Sequence, residues 1–477
     1  MFWALTLNTL RLLWRQKFSL PLFLLLAAGL PGVSYFVFSG DGTLNGVLKM
    51  MWGWQFYAVS VPLMLVTIYL AAVALDSELK GMQILTTAVK PAPRWMILLS
   101  KFTAVCLLSG FGVAAAGVSS YAALRGRTAP ECVRVIRQAD PEAARFSPEE
   151  REKDVAAQRD AATREFFTSR ITRRPQTPDF LREIREQFAK LKPEDVPGGK
   201  LPTEREMADL AQRIAQRQSF TIPFSAAREF VFTDLPVTKA PLTFRYKIDG
   251  SYREGTLGWL QAVWQFSGAA GRPPFTREST FRRGTEQSFL IPGESVGADG
   301  RLRVMLGNIS AATEKSQPAN LEVPFDGLRL MLPHGSFAGN FARAWMLLWF
   351  RLCLLAAIGV GGSAIVGAPV NGFLLVSVLL IGAFTDSICT QLAPPFDKYR
   401  PVVDSPLNTA KRITARALSL LPDFTETDPV DAVNNGEEIS MGDLGAQFAR
   451  DVLLRGGLML LLGAYALKKR EIAVYRG

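Results

Sequence analysis

Apolar positions in this chain follow two patterns, and the chain switches between them twice. Residues 18–122 and 342–467 carry long apolar runs, whereas residues 123–340 mix charged and apolar positions as a water-soluble protein does. Runs of about 18 or more apolar residues can cross the hydrocarbon core as helices, which satisfy their own backbone in lipid. About six such spans are predicted, over 18–38, 52–75, 95–123, 344–366, 372–389 and 452–467. The first holds Pro21 and Pro31, which membrane helices tolerate. It reads as a span rather than a cleaved leader, because no small-x-small site follows it. Ahead of it, Phe2, Leu5 and Leu12 lie near helical spacing beside Arg11, Arg15 and Lys17. That segment is either an amphipathic helix in the membrane surface or an extension of the first span.

Between the two apolar regions the pattern changes again. Residues 127–217 are charged and helix-like, opening one helix at Ser147-Pro148-Glu149-Glu150 and another near Thr203 and Glu206. From 219 to 333 the period becomes two. Leu242, Phe244, Tyr246 and Ile248 alternate with polar residues, as do Trp264 and Phe266, and Leu302, Val304 and Leu306. Asp249-Gly250 and Asp299-Gly300 read as turns between such runs. The expected fold is a mainly α membrane protein of about six transmembrane helices, with a large extracytoplasmic α+β insert between the third and fourth. The insert would be a helical stalk plus a β-sandwich. The divisions are 1–123, a first membrane part with a coupling loop at 76–94; 124–218, the charged helical region; 219–335, the β domain; and 336–477, a second membrane part with an outer segment at 390–450.

Charge fixes an orientation. Arg11, Arg15 and Lys17 precede the first span, Lys80, Lys90, Arg94 and Lys101 surround the second loop, and Lys468, Lys469 and Arg470 follow the last span. With six crossings all three groups share one face, which the positive-inside rule makes cytoplasmic, with both termini. Arg343 and Arg351 are expected on an amphipathic stretch at the outer interface, with Arg351 snorkelling outward.

Composition adds mainly exclusions. The formal charge is +11, but the basic residues are scattered among acidic ones and form no aromatic-interleaved stripe, which argues against a nucleic-acid partner. No GxxxxGK[ST], HExxH, CxxC or GxSxG occurs. His334 is the sole histidine, so no triad chemistry or metal site is expected. Cys106 and Cys353 sit in apolar runs and read as small apolar filler, too isolated to relay a soft metal. Cys132 and Cys389 fall outside those two, either as a disulfide pair or as free thiols.

The loop between the second and third runs carries the most specific signal. Glu78 and Gly81 are followed by Ile84-Leu85-Thr86, then Lys90-Pro91-Ala92-Pro93-Arg94-Trp95, then Ile97-Leu98-Leu99-Ser100-Lys101-Phe102. This resembles the first cytoplasmic loop of ABC-2-type transporter permeases: an acidic residue, a glycine, a short apolar helix, a Pro-x-x-Arg element and a lysine opening the next span. The small-residue stretch 359–382, Leu420-Leu421-Pro422-Asp423-Phe424 and the terminus 466–473 are similar to later parts of such permeases. The closest subgroup is that named for multicopper enzyme maturation or gliding motility.

The resemblance implies an inner-membrane permease subunit that pairs with a second permease subunit, identical or not, and docks separate ABC ATPase subunits. ATP and magnesium would bind those partners and no cofactor this chain, so the chain would not itself be an enzyme. Glu78, Gly81, Ile84, Leu85, Lys90, Pro91, Pro93 and Arg94 would form the coupling element. Physically, a short helix at 77–88, stopped by Pro91 and Pro93 and anchored at both ends, can pass rigid-body motion into two spans. Membrane lipid and an extracytoplasmic partner protein are the other expected contacts. The alternative is a membrane-anchored scaffold that presents the β domain and transports nothing. A secondary transporter would need ionisable residues near the bilayer centre, and the spans carry few.

Overall fold

The computed structural model describes residues 1–14, 29, 32, 42–80, 93–138, 140, 146–176, 219–238, 241–250, 259–268, 273–309, 320–324, 327–392, 410, 413–414 and 428–469. The chain divides into a helical unit, Met1–Ser169 with Gly335–Gly477, and a β unit, Arg170–His334.

The helical unit begins with α1 (Phe2–Trp14) and continues with α2 (Leu44–Lys80), α3 (Arg94–Arg127), α4 (Pro130–Gln138) and α5 (Pro148–Glu165). After the β unit come α6 (Phe337–Ser363), α7 (Ala368–Leu392), α8 (Pro429–Asn434) and α9 (Met441–Gln447). A π-helical run, Phe448–Gly456, leads without a break into α10 (Gly457–Lys469). Among the described residues four helices are long and apolar enough to cross a membrane: Leu44–Leu75, Arg94–Arg127, Phe337–Ser363 and Ala368–Thr385. The protein is therefore membrane-embedded. They fall on the second to fifth predicted runs. The first run, 18–38, lies outside the described residues. The last, 452–467, falls on the π run and α10, whose 13 residues alone reach only about 20 Å.

α6 is the axis of this unit: 83% of its most apolar stretch is buried, against 22% for α7. α2 runs parallel to it, with Trp52 against Phe341 near one end and Ala71 against Gly359 near the other. α3 runs antiparallel, with Tyr121 against Phe341 and Trp349 against Gly110. α10 is parallel again, and here the backbones nearly touch: a Cβ built on Gly361 would lie 2.5 Å from the Met459 carbonyl oxygen, and one on Gly463 would lie 2.7 Å from the Gly361 Cα. Glycine is needed at both positions because no side chain fits between the helices. α1 packs along α3, and Trp14 meets Phe111 edge-on near the middle of that helix.

The predicted charged region 124–218 splits. α3 extends through it to Arg127, and α4 and α5 pack in the helical unit. α5 opens with the expected capping box: the Glu150 N–H donates to Ser147 Oγ, and the Ser147 N–H donates to the Glu150 carboxylate at 2.8 Å. The helix predicted near Thr203 lies outside the described residues.

The β unit has eleven strands among the described residues: β1 (Arg170–Arg173), β2 (Ser219–Ile222), β3 (Ala227–Phe232), β4 (Leu242–Lys247), β5 (Asp249–Gly250), β6 (Trp259–Ser267), β7 (Phe275–Arg282), β8 (Glu286–Ile291), β9 (Leu302–Asn308), β10 (Leu321–Pro324) and β11 (Leu328–Pro333). They form antiparallel sheets in the orders β1-β11-β4-β8, β3-β9-β6-β7 and β2-β10-β5. The two four-stranded sheets face each other: the Phe244 ring of β4 lies 5.1 Å from both Trp264 and Phe266 of β6. The alternating residues read from the sequence fill this core, and Trp264 Nε1 donates to Ser279 Oγ at 2.7 Å, so burial leaves the indole satisfied.

Two local readings change. Asp249-Gly250 is not a free turn but a short strand on β10, where a Cβ at Gly250 would press on the Asn320 carbonyl. β1 is a strand drawn from the expected helical stalk, where Arg170–Arg173 pair with Leu330–Pro333 as the sheet edge beside β11.

Candidate functional site

The coupling element was predicted on the link between α2 and α3. Glu78 lies inside α2, which continues to Lys80, so residues 77–80 belong to that helix and do not begin a separate one. Gly81, Ile84, Leu85, Lys90 and Pro91 lie outside the described residues. Pro93 is the N-cap of α3, in extended conformation with φ −63° and ψ 138°. Its fixed φ and missing N–H suit that boundary.

Arg94 opens α3 and makes the defining contact of this end. Its Nη1 donates to the carbonyls of Leu467 (2.8 Å) and Lys468 (2.9 Å), at the C-terminus of α10. The last carbonyls of a helix lack intrahelical partners and carry the negative end of its dipole. A guanidinium placed there satisfies two acceptors and adds favourable charge. Beyond the clasp, α3 and α10 are loosely packed. An apolar cleft of about 460 Å³ separates them, lined by Trp95, Leu98, Leu99, Leu454, Leu458 and Leu461. The two helices are thus tied at the tip by Arg94, with the apolar cleft behind it.

The opposite end of the helical unit is built differently. There the chain leaves at Ser169 and returns at Gly335. Asn340 on α6 donates from Nδ2 to the Glu437 carbonyl (2.7 Å) and accepts the Ile439 N–H on Oδ1 (2.8 Å). Arg343 pairs with Glu438 and donates to the Ile439 carbonyl at 2.9 Å. Arg137 on α4 bridges Asp140 and Asp154 and also donates to the Gly42 carbonyl at 3.1 Å. Partial burial pulls the Arg137 pKa down, but the adjacent Asp154 and Asp140 outweigh it, so the net shift is upward and the cation is secured. Phe166, Phe167 and Phe337 close the same end with ring contacts of 5.0–5.6 Å.

Between the ends lies a polar seam. Tyr57 on α2 donates to Asp428 Oδ2 at 2.8 Å, and Asp428 also caps α8 through the Val430 N–H. Arg351, expected to snorkel to the outer interface, is only 6% exposed and acts electrostatically on Tyr57. It is buried because α6 is covered on most sides by α2, α3, the π run and α10. Asp451, in the π run, is also buried and accepts from Arg455 at 2.8 Å. Arg351 is thus enclosed rather than snorkelling, whereas the Tyr57–Asp428 hydrogen bond is exposed. The signal for Arg351 in the sequence was charge inside an apolar run, read there as interfacial.

Cys106 and Cys353, read as isolated, lie close enough across the α3–α6 contact to interact with each other. Both are free thiols, as is Cys132. Among the described residues no group of three or more His, Cys, Asp or Glu side chains gathers in a way that would hold a metal ion. His334, the sole histidine, ends up in the β unit. Compared with protein-family profiles, curated proteins and solved structures, the chain gives no match.

Proposed function

We propose that this chain is the membrane-spanning permease subunit of an ATP-driven exporter of ABC-2 type. Separate ATPase subunits would dock on the link between α2 and α3, and a second permease subunit, identical or related, would complete the pathway. ATP and magnesium belong to the ATPase partners. The membrane is the inner membrane, with both termini and the α2–α3 link on its cytoplasmic face, as the clustering of basic residues there favours.

One observation carries the reading: the clasp of Arg94 on the final carbonyls of α10. A push on the link reaches α2 and α3 directly through their ends. Through Arg94 it also reaches α10, which is wedged backbone-to-backbone on α6 at Gly361 and Gly463. A stroke from an external motor would therefore move four helices together, as rigid-body transmission requires. The link's similarity to ABC-2 coupling loops supports the same reading independently.

The scaffold alternative draws on the β unit, which has its own core. The two are separated by co-purifying the full chain with candidate ATPases and measuring ATP turnover in lipid. Replacing 77–88 by a flexible linker of equal length should abolish both association and stimulated turnover. Unchanged association and turnover would overturn the permease reading and leave the scaffold.

A further inference from the structure

Among the described residues, the α3–α6 contact is open on one side. Gly110 and Gly117 of α3 receive the rings of Trp349 and Trp345, and a Cβ at either glycine would lie 2.9 or 3.2 Å from those indoles. Beside this contact runs an apolar groove of about 810 Å³, walled by Phe111 and Phe341. Along α3 it extends from Cys106 to Tyr121. At 1.5 Å per residue that is about 22 Å, somewhat more than the half-thickness of the hydrocarbon core, about 15 Å.

The end of the groove at Tyr121 is polar. Arg125, one turn further along α3, is exposed. Its Nε donates to the Tyr121 hydroxyl at 3.3 Å, and its guanidinium lies 4.3 Å from the centre of the Phe167 ring and 5.5 Å from that of Tyr121. Those contacts fix the plane of the cation. None of them is with a carboxylate. A planar, oriented guanidinium is well matched to phosphate oxygens. Arg125 lies two residues before the C-terminal end of α3, the end that a spanning helix would present to the headgroups.

We propose that this groove binds one anionic phospholipid, with an acyl chain lying along the α3–α6 slot between Phe111 and Trp345 and its phosphate on Arg125. A lipid supplies both complements at once, hydrocarbon for the slot and an anion for the arginine. A second copy of the chain would have to bring a carboxylate to the same place. The inference does not depend on the transport reading, because it rests on a site at the other end of the unit from Arg94.

The full chain, purified in detergent, is offered phosphatidylglycerol, phosphatidylcholine or inorganic phosphate, and bound molecules are counted by native mass spectrometry. One phosphatidylglycerol per chain is expected to be retained in preference to phosphatidylcholine, and phosphate alone is expected not to bind. Arg125→Gln should lower that preference about five- to tenfold, and Ala114→Trp, which fills the slot, should remove both lipids. Should Ala114→Trp disturb folding, unaltered protein treated with a phosphatidylglycerol bearing a photoreactive acyl chain decides the question: cross-links should map to 107–118 and 338–346. An unchanged preference in Arg125→Gln would overturn the site, as would cross-links elsewhere. A groove cross-linked instead to a second copy, or to the chain's own apolar stretch 18–38, would also overturn it.

Discussion

The two ends of the helical unit are held by different kinds of force. At the end where the chain departs for the β unit, side chains distant in sequence stitch the backbone down. Asn340 and Arg343 hold residues 437–439, and Arg137 holds Gly42 and α5. At the other end, glycines let α6 and α10 meet backbone to backbone, and one arginine joins α3 to α10 over an incompletely filled cleft. Hydrogen bonds between fixed backbone groups specify one geometry, whereas apolar contact across a cleft tolerates sliding. The contrast is between an end pinned by several side chains and an end where one arginine spans a cleft.

The most damaging way to break this contrast is at the α6–α10 crossing, at the same end as Arg94. Gly361→Leu has nowhere to put its side chain, and overpacking of about 3 kcal/mol or more is expected. Thermal unfolding of the purified full chain should show a large loss; wild-type stability would mean that α6 and α10 do not approach as described. A smaller loss is expected from Asn340→Ala, about 2–3 kcal/mol, because two backbone groups at the pinned end lose their partner. Arg94→Gln sharpens the comparison from the other side. Because the Arg94 contact at a helix end is partly exposed and water can replace it, the substitution should cost about 1 kcal/mol of stability yet reduce ATPase stimulation about tenfold. Equal stability losses from Asn340→Ala and Arg94→Gln would erase the distinction between the ends.

The smallest effect concerns the β unit and pH. Burial tends to raise the Asp249 pKa, but the Arg283 guanidinium, the Gly250 N–H and the charges of Arg283 and Lys247 outweigh it and hold the carboxylate below its usual value. A depressed carboxylate pKa contributes stability above its unfolded value, near pH 4, and loses it as pH falls through the folded value. Both side chains are more than a third exposed, so the contribution is discounted to under about 1 kcal/mol. The stability gap between wild type and Asp249→Asn should hold steady from about pH 5 upward and close below about pH 4. A gap that widens on acidification would show the sign to be wrong.

Much of this was legible in the sequence because local chemistry decides it. Apolar runs gave the spans that become α2, α3, α6 and α7, alternation placed Phe244, Trp264 and Val304 in the β core, and Ser147-Pro148-Glu149-Glu150 set the start of α5. What was not legible depends on partners far along the chain. Cys106 meets Cys353, Arg351 is buried, β1 joins β11, and Asp249-Gly250 pairs with β10, each through contacts that periodicity does not encode. Of the predicted coupling residues, Arg94 has a definite long-range contact only through α10, more than 370 residues away.

By itself the sequence determined which segments prefer lipid and which alternate as strands, because transfer from water and backbone geometry act residue by residue. Only the tertiary structure decided that α6 is the enclosed axis, that Gly361 and Gly463 let two backbones touch, and that Arg94 closes on α10. Those outcomes depend on which surfaces meet, and close packing is a property of the pair rather than of either segment.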